Sequence, residues 1–113
     1  MFTLIVKDHF CSAHSIIGYE GNCAKIHGHT FKCEFYFEYN KLNDIGIAED
    51  FKVLKSRIKK LIDILDHDFI NTIIEQATAE NIAKWFYENL KEDNLKKVII
   101  WEGENAGAEY RVK

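Results

Sequence analysis

The chain has no proline, no Cys-x-x-Cys pair, no excess of basic residues and no apolar run long enough to cross a bilayer. Each absence removes a class of protein. The three cysteines, Cys11, Cys23 and Cys33, are odd in number and lack paired spacing, which argues against a disulfide framework and leaves reduced thiols as the expectation. With 15 Lys and Arg against 18 Asp and Glu, the net charge is −3. Nucleic acid is therefore not expected as the main partner, because phosphate binding generally leaves a basic face; local cations can still hold a small anion. The N-terminal stretch lacks the charged, apolar and small-residue regions of a signal peptide, so the expectation is a cytoplasmic protein with no membrane partner. The lack of proline carries no functional reading.

What remains is ordinary in bulk. At 113 residues, 47% hydrophobic and 29% charged, the chain reads as one soluble globular domain over residues 1–113 with a single modest core. Phe2 to Phe10 is apolar and β-branched and reads as a strand, extending toward His14. Ser15 to Lys25, with Gly18, Gly21 and Asn22, has no period and reads as a loop. From His27 to Tyr39, apolar Phe31, Cys33, Phe35 and Phe37 alternate with polar Thr30, Lys32, Glu34 and Glu38, the mark of a strand with one buried face.

Asn40 to Gly46 should turn the chain. Phe51, Leu54, Ile58, Leu61, Ile62 and Leu65 then recur at helical spacing behind Asp50, a suitable N-cap. Ala79, Ile82, Ala83, Phe86, Tyr87 and Leu90 define a second helix, with Thr78 as N-cap and Glu80 suited to its dipole. Val98 to Trp101 and Ala108 to Val112 read as strands joined by a turn over Gly103–Gly107. The order ββααββ gives an α+β fold, an antiparallel four-stranded sheet with two helices on one face. Such a sheet has exposed edges, and pairing them between subunits predicts an oligomer.

The stretch Cys23-Ala24-Lys25-Ile26-His27-Gly28-His29 carries the sharpest chemical signal. In a strand His27 and His29 share a face, with Gly28 leaving the space between them open. Catalytic zinc usually takes three protein ligands and keeps a fourth position open, and His14, closing the first strand, is the best third candidate. Imidazoles also accept nickel, cobalt or iron. Taken alone, His-x-His is equally a pair of ordinary strand histidines. Cys23 sits near enough to take part without ligating, since a neighbouring cation favours a thiolate that can accept a proton; otherwise it is a small loop residue. Cys11 and Cys33, at strand positions, read as core filling.

Asp66-His67 falls where the first helix should end. The carboxylate can orient the imidazole for acid and base work, or Asp66, Asp68 and Asn71 can simply terminate the helix. Glu102 follows a buried strand. It can accept two parallel hydrogen bonds from an amidine-like edge such as that of a pterin or guanine, or merely begin a turn.

Together these pieces resemble the 6-pyruvoyl-tetrahydropterin synthase superfamily, and within it the bacterial 6-carboxytetrahydropterin synthase branch of the queuosine pathway. The likeness runs over almost the whole chain. It rests on Phe10-Cys11-Ser12-Ala13-His14, Cys23 with His27-Gly28-His29, Gly46-Ile47-Ala48-Glu49-Asp50-Phe51 into Leu54-Lys55, Leu65-Asp66-His67 with Asn71, Thr78-Ala79-Glu80-Asn81-Ile82-Ala83, and Glu102. Three positions depart from the pattern: Asn22 where Lys often precedes the Cys, no Pro before Thr78, and Gly103 where Thr or Ser commonly follows the Glu.

The resemblance implies the T-fold (tunnelling fold), in which three sheets close into a barrel and two barrels stack into a homohexamer with active sites between subunits. It implies zinc on His14, His27 and His29, a catalytic set of Cys23, Asp66 and His67, and substrate binding by Glu102, Thr78 and Lys25, the last toward a triphosphate. The implied reaction converts 7,8-dihydroneopterin triphosphate to 6-carboxytetrahydropterin with loss of acetaldehyde and triphosphate. Two alternatives stand beside it. One is 6-pyruvoyl-tetrahydropterin synthase activity without acetaldehyde release, and the other is a non-catalytic pterin or purine binding protein with structural zinc. A folate-type variant that makes a hydroxymethyl pterin typically carries Glu at the thiol position, so Cys23 counts against it.

Overall fold

A computed structural model describes residues 1–112. The elements are β1 (Phe2–His14), β2 (His27–Tyr39), α1 (Phe51–Leu65), α2 (Ala79–Leu90), β3 (Leu95–Trp101) and β4 (Gly107–Arg111), in the expected order ββααββ. Short 3-10 turns at Asn22–Ala24 and Ile70–Thr72 interrupt the loops before β2 and before α2. The strands lie in sequence order β1-β2-β3-β4, every neighbouring pair antiparallel. β3 starts at Leu95, three residues before the apolar run that announced it. Lys96 and Lys97 concealed that start: cross-strand pairing with Tyr36 and Phe37 extends the strand through polar residues.

Period-2 alternation decides which side chains meet the helices. Phe31, Cys33, Phe35 and Phe37 of β2 are all buried, as are Val6 and Phe10 of β1 and Val98 and Ile100 of β3. Against them lie Leu54, Ile58, Ile62 and Leu65 of α1 and Ile82, Ala83 and Phe86 of α2. Phe86 touches Phe10 and Phe35, with ring centroids 5.9 and 5.5 Å apart, and so ties α2 to two strands. Burying each such ring contributes about 1.5–3 kcal/mol relative to exposure.

Both helices start as their caps dictate. The Asp50 carboxylate accepts from Lys52 N at 2.8 Å, and Thr78 Oγ1 accepts from Asn81 N at 3.1 Å. Phe51, expected on the buried stripe of α1, is 48% exposed. It occupies the first turn and lies in a surface hollow beside Ile5 and Val6 of β1.

Cys33 fills the core, but Cys11 is exposed, which corrects the expectation that both do. In β1 the even positions face the helices, so Cys11 points to the open face, where its Sγ lies 3.5 Å from Thr30 Oγ1 across the strand pair. The outer edge of β1 is partly covered: Asp66, His67 and Asp68 hydrogen bond to Cys11 and Ala13, while residues before Cys11 have no such cover.

Candidate metal centre and active-site cleft

The register that buries the phenylalanines also gathers the histidines. His14 pairs with His27, Ser12 with His29 and Phe10 with Phe31, so His14, His27 and His29 end the helix-facing side of β1 and β2. Their ring centroids are 4.5 Å (His14–His27), 5.1 Å (His14–His29) and 4.9 Å (His27–His29) apart. One nitrogen from each lies within 4.8 Å of the others. Gly28 faces the opposite side, and a Cβ there would meet only Ser12 O at an ordinary 3.6 Å, so the trio does not require glycine between its members.

Main-chain groups orient the rings. Ala77 O lies 2.6 Å from His14 Nδ1, and Lys25 O lies 2.7 Å from His27 Nδ1. Both contacts fix Nδ1 as the donor and leave the Nε2 lone pair free, the orientation that metal-binding imidazoles use. These carbonyls could not be found in the sequence, because a main-chain acceptor leaves no residue signature. His29 is pulled below the ordinary histidine pKa by burial, against the opposing charge and main chain of Glu102, and so favours the neutral ring that binds metals.

His14 supplies the test of fit. Its residue is fully buried and its Nε2 has no hydrogen-bond partner. Glu102 Oε2 stands 3.4 Å away, within ion-pair range but too poorly aligned to bond it. A buried polar atom left unpaired costs about 1–3 kcal/mol. A divalent ion held by the three imidazoles would remove that penalty, and Phe31, edge-on to both His14 and His29, gives the apolar surround such a site needs. The donor set fits zinc or another imidazole-preferring ion.

Cys23, His27, His29 and Glu102 line one cleft of about 470 Å³, together with Asn22 and residues 103–106. Glu102 is placed by the β3–β4 turn, whose Glu102 N donates to Ala106 O at 3.0 Å. Gly107 makes that turn possible: a Cβ there would fall 2.6 Å from the Trp101 ring and 3.0 Å from Ile100 O.

The other candidates sit elsewhere. Thr78 caps α2, and Lys25 offers its carbonyl to His27 while its side chain is exposed. Neither lines the cleft. Asp66 and His67 form a pair of their own at the outer edge of β1, with His67 Nδ1 3.0 Å from Asp66 Oδ1. Cys11 N donates to Asp66 Oδ1 at 2.9 Å, and His67 N donates to Cys11 O at 2.6 Å. The Cys11 N–H above all, then His67, holds the Asp66 carboxyl below its ordinary pKa. His67 adopts φ 56° and is 79% exposed, a left-handed backbone that costs a non-glycine residue about 1–3 kcal/mol. Its imidazole points to solvent, outside the cleft that holds Cys23.

The family described as 6-pyruvoyl tetrahydropterin synthase matches residues 3–113. The 6-carboxy-5,6,7,8-tetrahydropterin synthase of Synechocystis sp. is 31% identical over 120 residues, covering 97% of this chain and 93% of that protein. The dihydroneopterin monophosphate aldolase of Pyrococcus furiosus is 32% identical over 111 residues, covering 94% of each. The structure of Caenorhabditis elegans 6-pyruvoyl tetrahydropterin synthase shares the fold, with a TM-score of 0.89 at 22% identity over 99% of this chain and 96% of that one. A match over nearly the whole length, on a sheet of the same topology, places this chain in the 6-pyruvoyl tetrahydropterin synthase family of pterin enzymes, with its T-fold.

Proposed function

We propose that the chain is a cytoplasmic, zinc-dependent lyase that converts 7,8-dihydroneopterin triphosphate to 6-carboxy-5,6,7,8-tetrahydropterin, releasing acetaldehyde and triphosphate in queuosine biosynthesis. The observation that carries this reading is a cluster of three metal-competent imidazoles, two of which, His27 and His29, line one cleft with the Cys23 thiol and the Glu102 carboxylate.

His14, His27 and His29 are the residues to hold the ion. A divalent ion bound there would supply Lewis-acid stabilisation of negative charge on the substrate's side-chain hydroxyls. Glu102 orients the substrate by accepting two parallel hydrogen bonds from the amino group and ring nitrogen of the pterin. Cys23 accepts the proton on the carbon beside those hydroxyls, and His67, oriented by Asp66, exchanges a proton on the opposite side. Lys25 balances charge on the triphosphate and Thr78 supports the pterin end, and since neither lines the cleft of its own chain, both act in this reading at its margin or across the subunit boundary.

His67 and Cys23 stand apart within one chain, so Asp66 and His67 of the partner subunit complete the set in this reading. The open edges of β1 and β4, and the exposed apolar residues Phe2, Ile5, Ile47 and Phe51 beside β1, support assembly into a homohexamer. Among the described residues no helix is long and apolar enough to cross a membrane.

One relative is named as an aldolase acting on dihydroneopterin monophosphate, which gives a second reading of the same cleft. Purified, metal-analysed protein incubated separately with the triphosphate and the monophosphate, with products identified by mass, decides between them. Acetaldehyde and a 6-carboxy pterin from the triphosphate are expected. A pyruvoyl pterin without acetaldehyde indicates 6-pyruvoyl-tetrahydropterin synthase activity, and turnover of the monophosphate alone indicates the aldolase. Binding without turnover indicates a pterin-binding protein.

A further inference from the structure

Cys23 lies in an exposed loop, yet the loop's first residues are gripped by two side-chain amides from a distant segment. Ser15 N donates to Asn71 Oδ1 at 2.9 Å, and Asn71 Nδ2 donates to Ser15 O at 3.0 Å. Two residues on, Ile17 N donates to Gln76 Oε1 at 2.9 Å, and Gln76 Nε2 donates to Ile17 O at 2.8 Å. Each amide presents a donor and an acceptor to one residue's main chain, as a neighbouring strand would.

Ser15 and Ile17 thus bond Asn71 and Gln76, while Ile16 between them opens the turn in which Tyr19 N donates to Ile16 O at 3.3 Å. Ile16 N donates to Cys23 O at 2.8 Å. The residue that holds the thiol-bearing backbone is thus flanked on both sides by clamped neighbours. The same segment reaches one residue further back, where Ala77 O orients His14.

We propose that Asn71 and Gln76 are positioning residues that set the Cys23 thiol relative to the trihistidine centre by clamping the residues on either side of Ile16, just past the end of β1. The proposal rests on the catalytic role given above to Cys23. The clamp fixes both ends of the needed geometry at once, His14 through Ala77 and Cys23 through Ile16. A misplaced catalytic group loses rate while substrate affinity and metal content persist.

Gln76→Ala is the sharper variant, since both side-chain bonds of Gln76 go to Ile17, and its carbonyl keeps its bonds to Thr78 N and Asn81 Nδ2. Asn71 also bonds Glu75 O, so Asn71→Ala risks the fold. Gln76→Glu, which keeps the acceptor but loses the donor, serves as the second variant. The measurements are amide hydrogen exchange at Ile16, which Gln76 does not touch, and kcat and KM for dihydroneopterin triphosphate in the metal-loaded enzyme. Exchange at Ile16 is expected to quicken about tenfold and kcat to fall about 10- to 100-fold in Gln76→Ala, with KM and metal stoichiometry held and Gln76→Glu intermediate. Unchanged exchange at Ile16, or an unchanged kcat despite faster exchange, overturns the proposal. Full activity of Cys23→Ala overturns the catalytic reading beneath it and is read separately, because the Ile16 amide reports the clamp without any turnover.

Discussion

The Nε2 atom of His14, fully buried and without a hydrogen-bond partner, stands 3.4 Å from the Glu102 carboxylate. An orphaned nitrogen beside a carboxylate and two further imidazoles is a donor set suited to a cation. His14→Ala should therefore bind no stoichiometric zinc, where the parent binds about one ion per chain. Metal analysis after dialysis reads this directly. Zinc at about 100 times its Kd should stabilise the parent by about 2.7 kcal/mol against thermal unfolding and leave the variant unmoved. Equal zinc content in the two proteins would refute the assignment.

The bond from Cys11 N to Asp66 gives a pH dependence. Its carboxyl titrates below the ordinary value, near 3.9 in an unfolded chain, so the stabilisation is complete above that value and disappears as pH falls through the lower folded value. Denaturant titrations of the parent and Asp66→Asn should show a constant stability gap from about pH 7 to pH 5 that narrows below about pH 4. A gap that persists unchanged to about pH 2 would show that the Asp66 charge does not brace the edge of β1.

Gly107 tests how Glu102 is placed. A Cβ at this position meets the Trp101 ring and the Ile100 carbonyl, so Gly107→Ala should cost about 1–3 kcal/mol in stability. If the turn places Glu102 against the pterin, KM should rise as well. Thermal unfolding with steady-state kinetics checks both, and a variant of parental stability would show that the close approach is relieved cheaply.

The trihistidine site was legible because its signal is periodic. Strand alternation puts His27 and His29 on the side of Phe31 and Phe35, and burial of those rings fixes the register by which His14 joins them. The caps Asp50 and Thr78 were legible for a similar reason, since they act within three residues of themselves. Cys11 was misread because a strand has two faces and an apolar residue type does not say which one it takes. The links from Asn71 and Gln76 to Ser15 and Ile17 span 56 and 59 residues, and no local pattern records contacts of that range. The separation of His67 from the Cys23 cleft was hidden likewise, because it depends on where α1 ends against the edge of β1.

In the proposed reaction the thiol carries the chemistry, and its removal decides the matter. Cys23→Ala protein, loaded with zinc to the parental stoichiometry, should turn over dihydroneopterin triphosphate at least about 10³-fold more slowly than the parent, as expected on losing a positioned proton acceptor. Turnover at the parental rate with the same zinc content would contradict a mechanism in which the sulfur takes the proton.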